Sequence, residues 1–148
     1  MITIDESIDV AASPTTVYGV ITRLDRYPAW IPGVESAEPL PGPATGTAGS
    51  RFRLRFAGPM GPLEADGEVT AADPPRSVAI GATGSLFRLS AACDVEAGAG
   101  GTRLHVAAKV ELSGVARFLE GQVRSRATAA MPEALENLKA AIEAEAQA

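Results

Sequence analysis

Residues 51–68 read Arg51-Phe52-Arg53-Leu54-Arg55-Phe56-Ala57-Gly58-Pro59-Met60-Gly61-Pro62-Leu63-Glu64-Ala65-Asp66-Gly67-Glu68. Three arginines alternate with Phe52, Leu54 and Phe56 before a Gly/Pro cluster, and three acids alternate with Leu63, Ala65 and Gly67 after it. Period-two alternation on both sides of such a cluster is the pattern of a β-hairpin. Pairing Phe56 with Leu63 sets Arg55 against Glu64, Arg53 against Asp66 and Arg51 against Glu68. The other face then carries Leu54 against Ala65 and Phe52 against Gly67. One offset satisfies three opposite-charge pairs and gathers the apolar residues on one face, as cross-strand pairing requires.

Outward from this hairpin the same period persists from 34 to 112. It predicts strands at 34–40, 48–57, 63–72, 76–83, 86–96 and 101–112, with turns at Pro41-Gly42-Pro43, 58–62, Asp73-Pro74-Pro75, Gly84-Ser85 and 98–101. These connections are too short for parallel crossovers, so the strands form an antiparallel meander. Centring the next hairpin on Gly84-Ser85 pairs Ala82 with Phe87, Ile80 with Leu89 and Val78 with Ala91; the following one pairs Cys93 with Leu104 and Ala91 with Val106. Residues 2–10 alternate as a first strand, with a bulge expected near Glu6-Ser7. Ser13-Pro14 is an N-cap followed by proline at the first helical position, opening a short helix over 14–23. From Gly114 to about Ala146 the period returns to 3.6, with a kink or break expected at Ala130–Pro132. This long helix is the natural cover for the apolar sheet face. The chain is read as a single α+β domain spanning 1–148.

Composition narrows the function. The chain has 148 residues and a net charge of −5, from 18 Asp+Glu against 13 Lys+Arg, which argues against a nucleic-acid binder. One cysteine, Cys93, and one histidine, His105, exclude an intramolecular disulfide framework and a His- or Cys-rich metal site, so neither metal nor cofactor is expected. No apolar stretch approaches the ~20 residues of a membrane span. The N-terminus lacks the basic and apolar regions of a secretory signal. Abundant alanine and only two lysines, Lys109 and Lys139, lean towards a bacterial cytoplasm. No Ser-His-Asp set, HExxH or phosphate-binding glycine loop occurs. His105, between inward Leu104 and Val106, points to solvent, and Cys93 points into the core as a small hydrophobe.

Three segments carry a family resemblance: Ala12-Ser13-Pro14 with Val17; Tyr27-Pro28-Ala29-Trp30-Ile31-Pro32-Gly33-Val34; and Gly114-Val115-Ala116-Arg117-Phe118-Leu119 leading to Leu135-Glu136-Asn137-Leu138. Together with the strand order they resemble the START-like, or SRPBCC, superfamily over essentially the whole chain. Gly114 and the Asn137-Leu138-Lys139 end look most like the carbon monoxide dehydrogenase G-subunit family, a branch that often has a C-terminal membrane-anchoring extension; none is expected after Ala148. The resemblance implies a helix-grip fold: a curved antiparallel sheet of about seven strands wrapped around a long C-terminal helix, with two short helices after the first strand. It also implies a cavity between sheet and helix for apolar ligands such as lipids, quinones, sterols and polyketides.

The residues themselves leave room for such a cavity, because the inward face mixes Phe52, Phe56 and Phe87 with Ala65, Gly67, Ala91 and Ala108, opposite an alanine-rich helix. Candidate ligand-binding residues are Trp30, Phe52, Leu54, Phe87, Leu89, Val106, Arg124, Thr128 and Met131. Tyr27 and Trp30 close one end of the core or gate the cavity. Arg124 and Thr128 enter by tracing the apolar helix face backward from Met131, Leu135, Leu138 and Ile142; either they reach a wet cavity, or the helix is turned or bent so that they are exposed. The expected function is binding of a small hydrophobic molecule as a carrier, sensor or assembly accessory. The alternatives are a polyketide cyclase/aromatase-type enzyme, which works largely by holding a reactive chain in a productive shape, and a protein-interaction accessory of a redox enzyme.

Overall fold

A computed structural model describes residues 1–31, 33–58 and 61–147. Pro59 and Met60 of the 58–62 turn, Pro32 of the aromatic segment and Ala148 lie outside the described residues. The strands are β1 (Ile2–Val10), β2 (Val34–Pro39), β3 (Arg51–Gly58), β4 (Gly61–Asp73), β5 (Ser77–Gly84), β6 (Phe87–Gly98) and β7 (Gly101–Leu112). They form one antiparallel sheet in the order β1-β7-β6-β5-β4-β3-β2. Between β1 and β2 come helix α1 (Pro14–Ile21), a 3-10 turn (Leu24–Arg26) and helix α2 (Tyr27–Trp30). A 3-10 segment, Gly114–Leu119, then runs into helix α3 (Glu120–Gln147). This is the helix-grip architecture.

The β3–β4 hairpin has the register that its charges dictate: Arg51 opposite Glu68, Arg53 opposite Asp66, Arg55 opposite Glu64 and Phe56 opposite Leu63. Arg53 Nε donates to Asp66 Oδ1 at 3.1 Å and lies 3.8 Å from Glu64. Two other registers differ from expectation by two residues. Ala82 faces Leu89 and Ile80 faces Ala91 across β5–β6, while Cys93 faces Val106 and Ala91 faces Ala108 across β6–β7. The cause at the first is Gly84, which belongs to the strand and not to the turn. A Cβ on Gly84 would lie 2.8 Å from the Phe87 ring and 2.9 Å from the Glu64 carbonyl oxygen, so β4 and Phe87 pack directly on its backbone. At the second, Gly98 pairs with Gly101, leaving Ala99-Gly100 as the loop, with Gly100 at φ +80°. A shift of two residues leaves every side chain on its expected face. The bulge expected near Glu6-Ser7 is absent, because β1 pairs with β7 without interruption from Ile2–Val110 to Val10–Thr102. Register shifts occur instead at Val34/Ser36 and Val69/Ala71.

Helix α1 starts as its sequence predicts, with Ser13 Oγ accepting from the Thr16 amide at 3.2 Å and Pro14 at the first turn. Helix α3 continues through Pro132 as one element rather than breaking there. Proline removes the amide that would bond to the Thr128 carbonyl. Pro132 and Thr128 are both exposed, so water can take that bond.

Helix α3 runs alongside β1 and is tied to it at both ends. The Met1 ammonium donates to Glu120 at 2.7 Å and Arg124 donates to the Met1 carbonyl at 3.1 Å. Near the other end of the helix, the Ala11 amide donates to Glu143 at 2.9 Å. The helix is not the sole cover of the sheet. Val17, Val20 and Ile21 of α1, Leu24, and Tyr27 and Trp30 of α2 are buried in the same core, with Leu138 and Ile142 of α3.

Candidate functional site

Each strand sorts its inward residues by position along the sheet. At one end Val10, Phe52, Val69, Cys93, Val95 and Leu104 are buried under α1, α2 and the second half of α3. Phe52 and Leu54 are 1% and 0% exposed. The Phe52 ring occupies the space over Gly67, where a Cβ would collide with it, and meets Tyr27 edge-on at 5.8 Å. This end is solid.

At the other end a pocket of 280 Å³ opens between the sheet and the first half of α3. Its sheet wall includes Phe56, Leu63, Phe87, Leu89 and Val106. Phe56 and Phe87 meet edge-to-face at 5.3 Å. Its helix wall is Val123, Arg126, Ala127, Ala130, Met131 and Leu135, so short side chains leave a gap that leucines would close. Trp30 and Ile31 supply a third side, and Tyr27 braces Trp30 through a T-shaped contact of 5.8 Å. An adjoining lobe of 170 Å³ shares Leu63, Phe87, Leu112 and Val123 with the pocket and is closed by Ala116 and Leu119 of the 3-10 segment. On the outward side of that segment Val115 and Phe118 are exposed, Phe118 at 91%. The main volume is close to the lower end of the range of about 300–1,000 Å³ usual for small-molecule sites.

The structure brings together Trp30, Phe87, Leu89, Val106 and Met131 of the nine candidate residues. Four do not border the pocket. Phe52 and Leu54 lie in the solid end. Arg124 and Thr128 are exposed on another side of α3, and Arg124 donates to the Met1 carbonyl and to Glu120. The inward face of α3 passes through Val123, Ala127 and Ala130, which brings Arg126 to the pocket in place of Arg124. Arg126 lies within the helix stretch 123–131 expected to line the cavity, but it is the charged lining residue absent from the nine candidates. The signal was the Val123-Ala127-Ala130 row, but alanines contrast too weakly with their neighbours to fix the phase of a helix face.

Chemistry at the pocket wall is sparse. Among the described residues, the ones bordering it that carry strongly polar side-chain groups are Arg126 and Trp30. Trp30 is 7% exposed, and its Nε1 has no hydrogen-bond partner in the protein. Cys93 does not border the pocket, and burial pushes its thiol up to about 12, leaving it protonated at neutral pH. Burial likewise pushes the Tyr27 hydroxyl above its ordinary range. His105 stands on the outer face, hydrogen-bonded to Asp5 and 3.8 Å from Asp94. Among the described residues no three His, Cys, Asp or Glu side chains gather as a metal site. No described helix is long and apolar enough to cross a membrane.

Residues 1–143 match the family described as polyketide cyclase / dehydrase and lipid transport. The chain belongs to that family. Its fold matches a START superfamily protein from Mycobacterium smegmatis at a TM-score of 0.75 and 17% identity, covering 96% of this chain and 97% of the other. It likewise matches TTHA0849 from Thermus thermophilus at 0.74 and 18%, over 96% and 97% of the two chains. Ara h 8.0201 matches at 0.65 and 16%, over 96% and 97%. No curated protein matches the sequence itself. At these identities the structures share the family's fold. In this member the space between sheet and helix is open beside the first half of α3.

Proposed function

We propose that this chain acts as one START-like domain that binds a small hydrophobic molecule, of lipid, quinone or polyketide type, without covalent chemistry, as a carrier, sensor or assembly accessory. The observation that carries this reading is the 280 Å³ apolar pocket between the sheet and the alanine-rich half of α3. Family membership supports it, since the family's own description joins polyketide chemistry with lipid transport. The wall also favours holding over catalysis, because no carboxylate, imidazole or thiol borders the pocket among the described residues. The proposal includes a bacterial cytoplasmic setting and needs no nucleic acid.

Titration with a neutral fluorescent apolar probe, 1-N-phenylnaphthylamine, tests it. Probe emission should rise on binding to the wild-type protein. Ala91 borders the pocket and faces Ile80 and Ala108 on its neighbouring strands, so Ala91→Phe should abolish the signal while the protein stays folded. A wild-type protein that gives no enhancement overturns the reading.

A further inference from the structure

The pocket wall is unbalanced in its hydrogen bonding. Among the described residues, and apart from the weakly accepting sulfur of Met131, the polar side chains that line it, Arg126 and Trp30, are donors. Trp30 Nε1 is buried without an acceptor, which is a cost that a folded protein usually avoids. The other arginines of α3 and of the helical segment after β1 are engaged: Arg124 with Met1 and Glu120, Arg23 with Asp25, and Arg26 with Glu145. Arg126 has no ion pair among the described residues. It is exposed while also bordering the pocket, which places it at the rim, with Ala127 and Ala130 continuing the helix wall inward. A cation at the rim of an apolar slot suits a ligand with one charged end.

We infer that the ligand of this pocket is an amphiphile with a carboxylate, whose tail lies between the sheet and Ala127/Ala130 and whose carboxylate pairs with Arg126. The inference rests on the binding reading above and adds the chemical class of the ligand. A guanidinium presents two parallel N–H groups that match a carboxylate, so it prefers an acid to an alcohol of the same chain length. The net charge of −5 repels anions in general, so a preference for the acid must come from a local group.

The test is competition for the bound neutral probe by dodecanoate and by 1-dodecanol, in the wild type, Arg126→Gln and Arg124→Gln. Dodecanoate should compete about tenfold better than dodecanol in the wild type, the scale of one charge-assisted contact at a partly solvated site. Arg126→Gln should erase that preference, read as the ratio of acid to alcohol competition within each variant so that any change in probe affinity cancels, and Arg124→Gln should keep it. Equal competition by acid and alcohol, or a preference that survives Arg126→Gln, overturns the inference and leaves the apolar-pocket reading standing. Failure of the neutral probe to bind overturns both.

Discussion

The two ends of the sheet are built from the same strands and differ in their cover. Under α1, α2 and the second half of α3, Leu54, Leu104, Leu138 and Ile142 are all 0% exposed. About two to four turns further towards the N-terminus of α3, the wall is Ala130, Ala127 and Val123, and a 280 Å³ pocket takes the place of packing. The sheet contributes phenylalanines to both ends, Phe52 to the solid one and Phe56 and Phe87 to the open one. The cavity therefore follows from side-chain size on one helix. Because the two helix ends are held to β1 at Glu120 and Glu143, the helix does not simply settle onto its alanines.

The largest effect that tests this contrast is loss of a side chain at the solid end. Leu138→Ala removes a fully buried side chain from a site with no room to adjust and should cost about 2–5 kcal/mol in urea unfolding. Val123→Ala, on a half-buried pocket wall, should cost about 1 kcal/mol. Equal losses at the two positions would show that the two halves of α3 pack alike. Next comes Gly67→Ala, whose new methyl would collide with carbons of the Phe52 ring. Overpacking there should cost about 1–3 kcal/mol, and Phe52→Leu in the same chain should restore part of it. No rescue by Phe52→Leu would mean that the loss arises elsewhere than at this contact.

At the open end, enlargement should have the opposite outcome. Ala130→Leu places three extra carbons in the pocket, where there is space for them. Thermal unfolding should move by no more than the equivalent of about 1 kcal/mol, while affinity for 1-N-phenylnaphthylamine falls at least about tenfold. A variant that keeps full probe affinity would place the binding volume elsewhere than beneath Ala130.

The contrast also explains which parts were legible in the sequence. The β3–β4 register was legible because three charge pairs and Phe56–Leu63 agree at one offset only. The β5–β6 and β6–β7 registers were not, because period-two alternation is indifferent to an even slip and only turn chemistry separates the options. Gly84 looked like a turn residue, and its real constraint is the approach of Phe87 and the Glu64 carbonyl across strands, which no local pattern displays. The solid half of α3 was legible through Leu138 and Ile142. Extending that face backward over more than three turns onto alanines led to Arg124 and Thr128 instead of Arg126. Phe52 and Leu54 were correctly placed inside, but which inward residues border a void depends on the short helices that cover them.

The smallest expected effect comes from the outer face and serves as a control on the pocket. His105 sits on β7 between inward Leu104 and Val106, so it shares a strand with the pocket wall but faces away from it. Its hydrogen bond to Asp5 raises its pKa above the ordinary 6.5, outweighing the desolvation that opposes it, and the Asp5 and Asp94 charges add to the rise. A raised folded-state pKa means that the folded protein binds the proton more tightly than the unfolded chain does. The resulting stability is fully present below the unfolded value and disappears as pH rises through the folded one. Urea unfolding from about pH 6 upward should therefore show a small fall in stability beginning near the unfolded-state value of about 6.5, and Asp5→Asn should flatten it. Asp5 is exposed and His105 half-exposed, so added salt should shrink the effect as well. Probe affinity should stay level across the same range, since no imidazole, carboxylate or thiol borders the pocket among the described residues. Coincident stability profiles for wild type and Asp5→Asn would show that the ion pair is not maintained in solution. A probe affinity that follows the His105 titration would show that the two faces of β7 are coupled, and the pocket could then no longer be treated as a product of its cover alone.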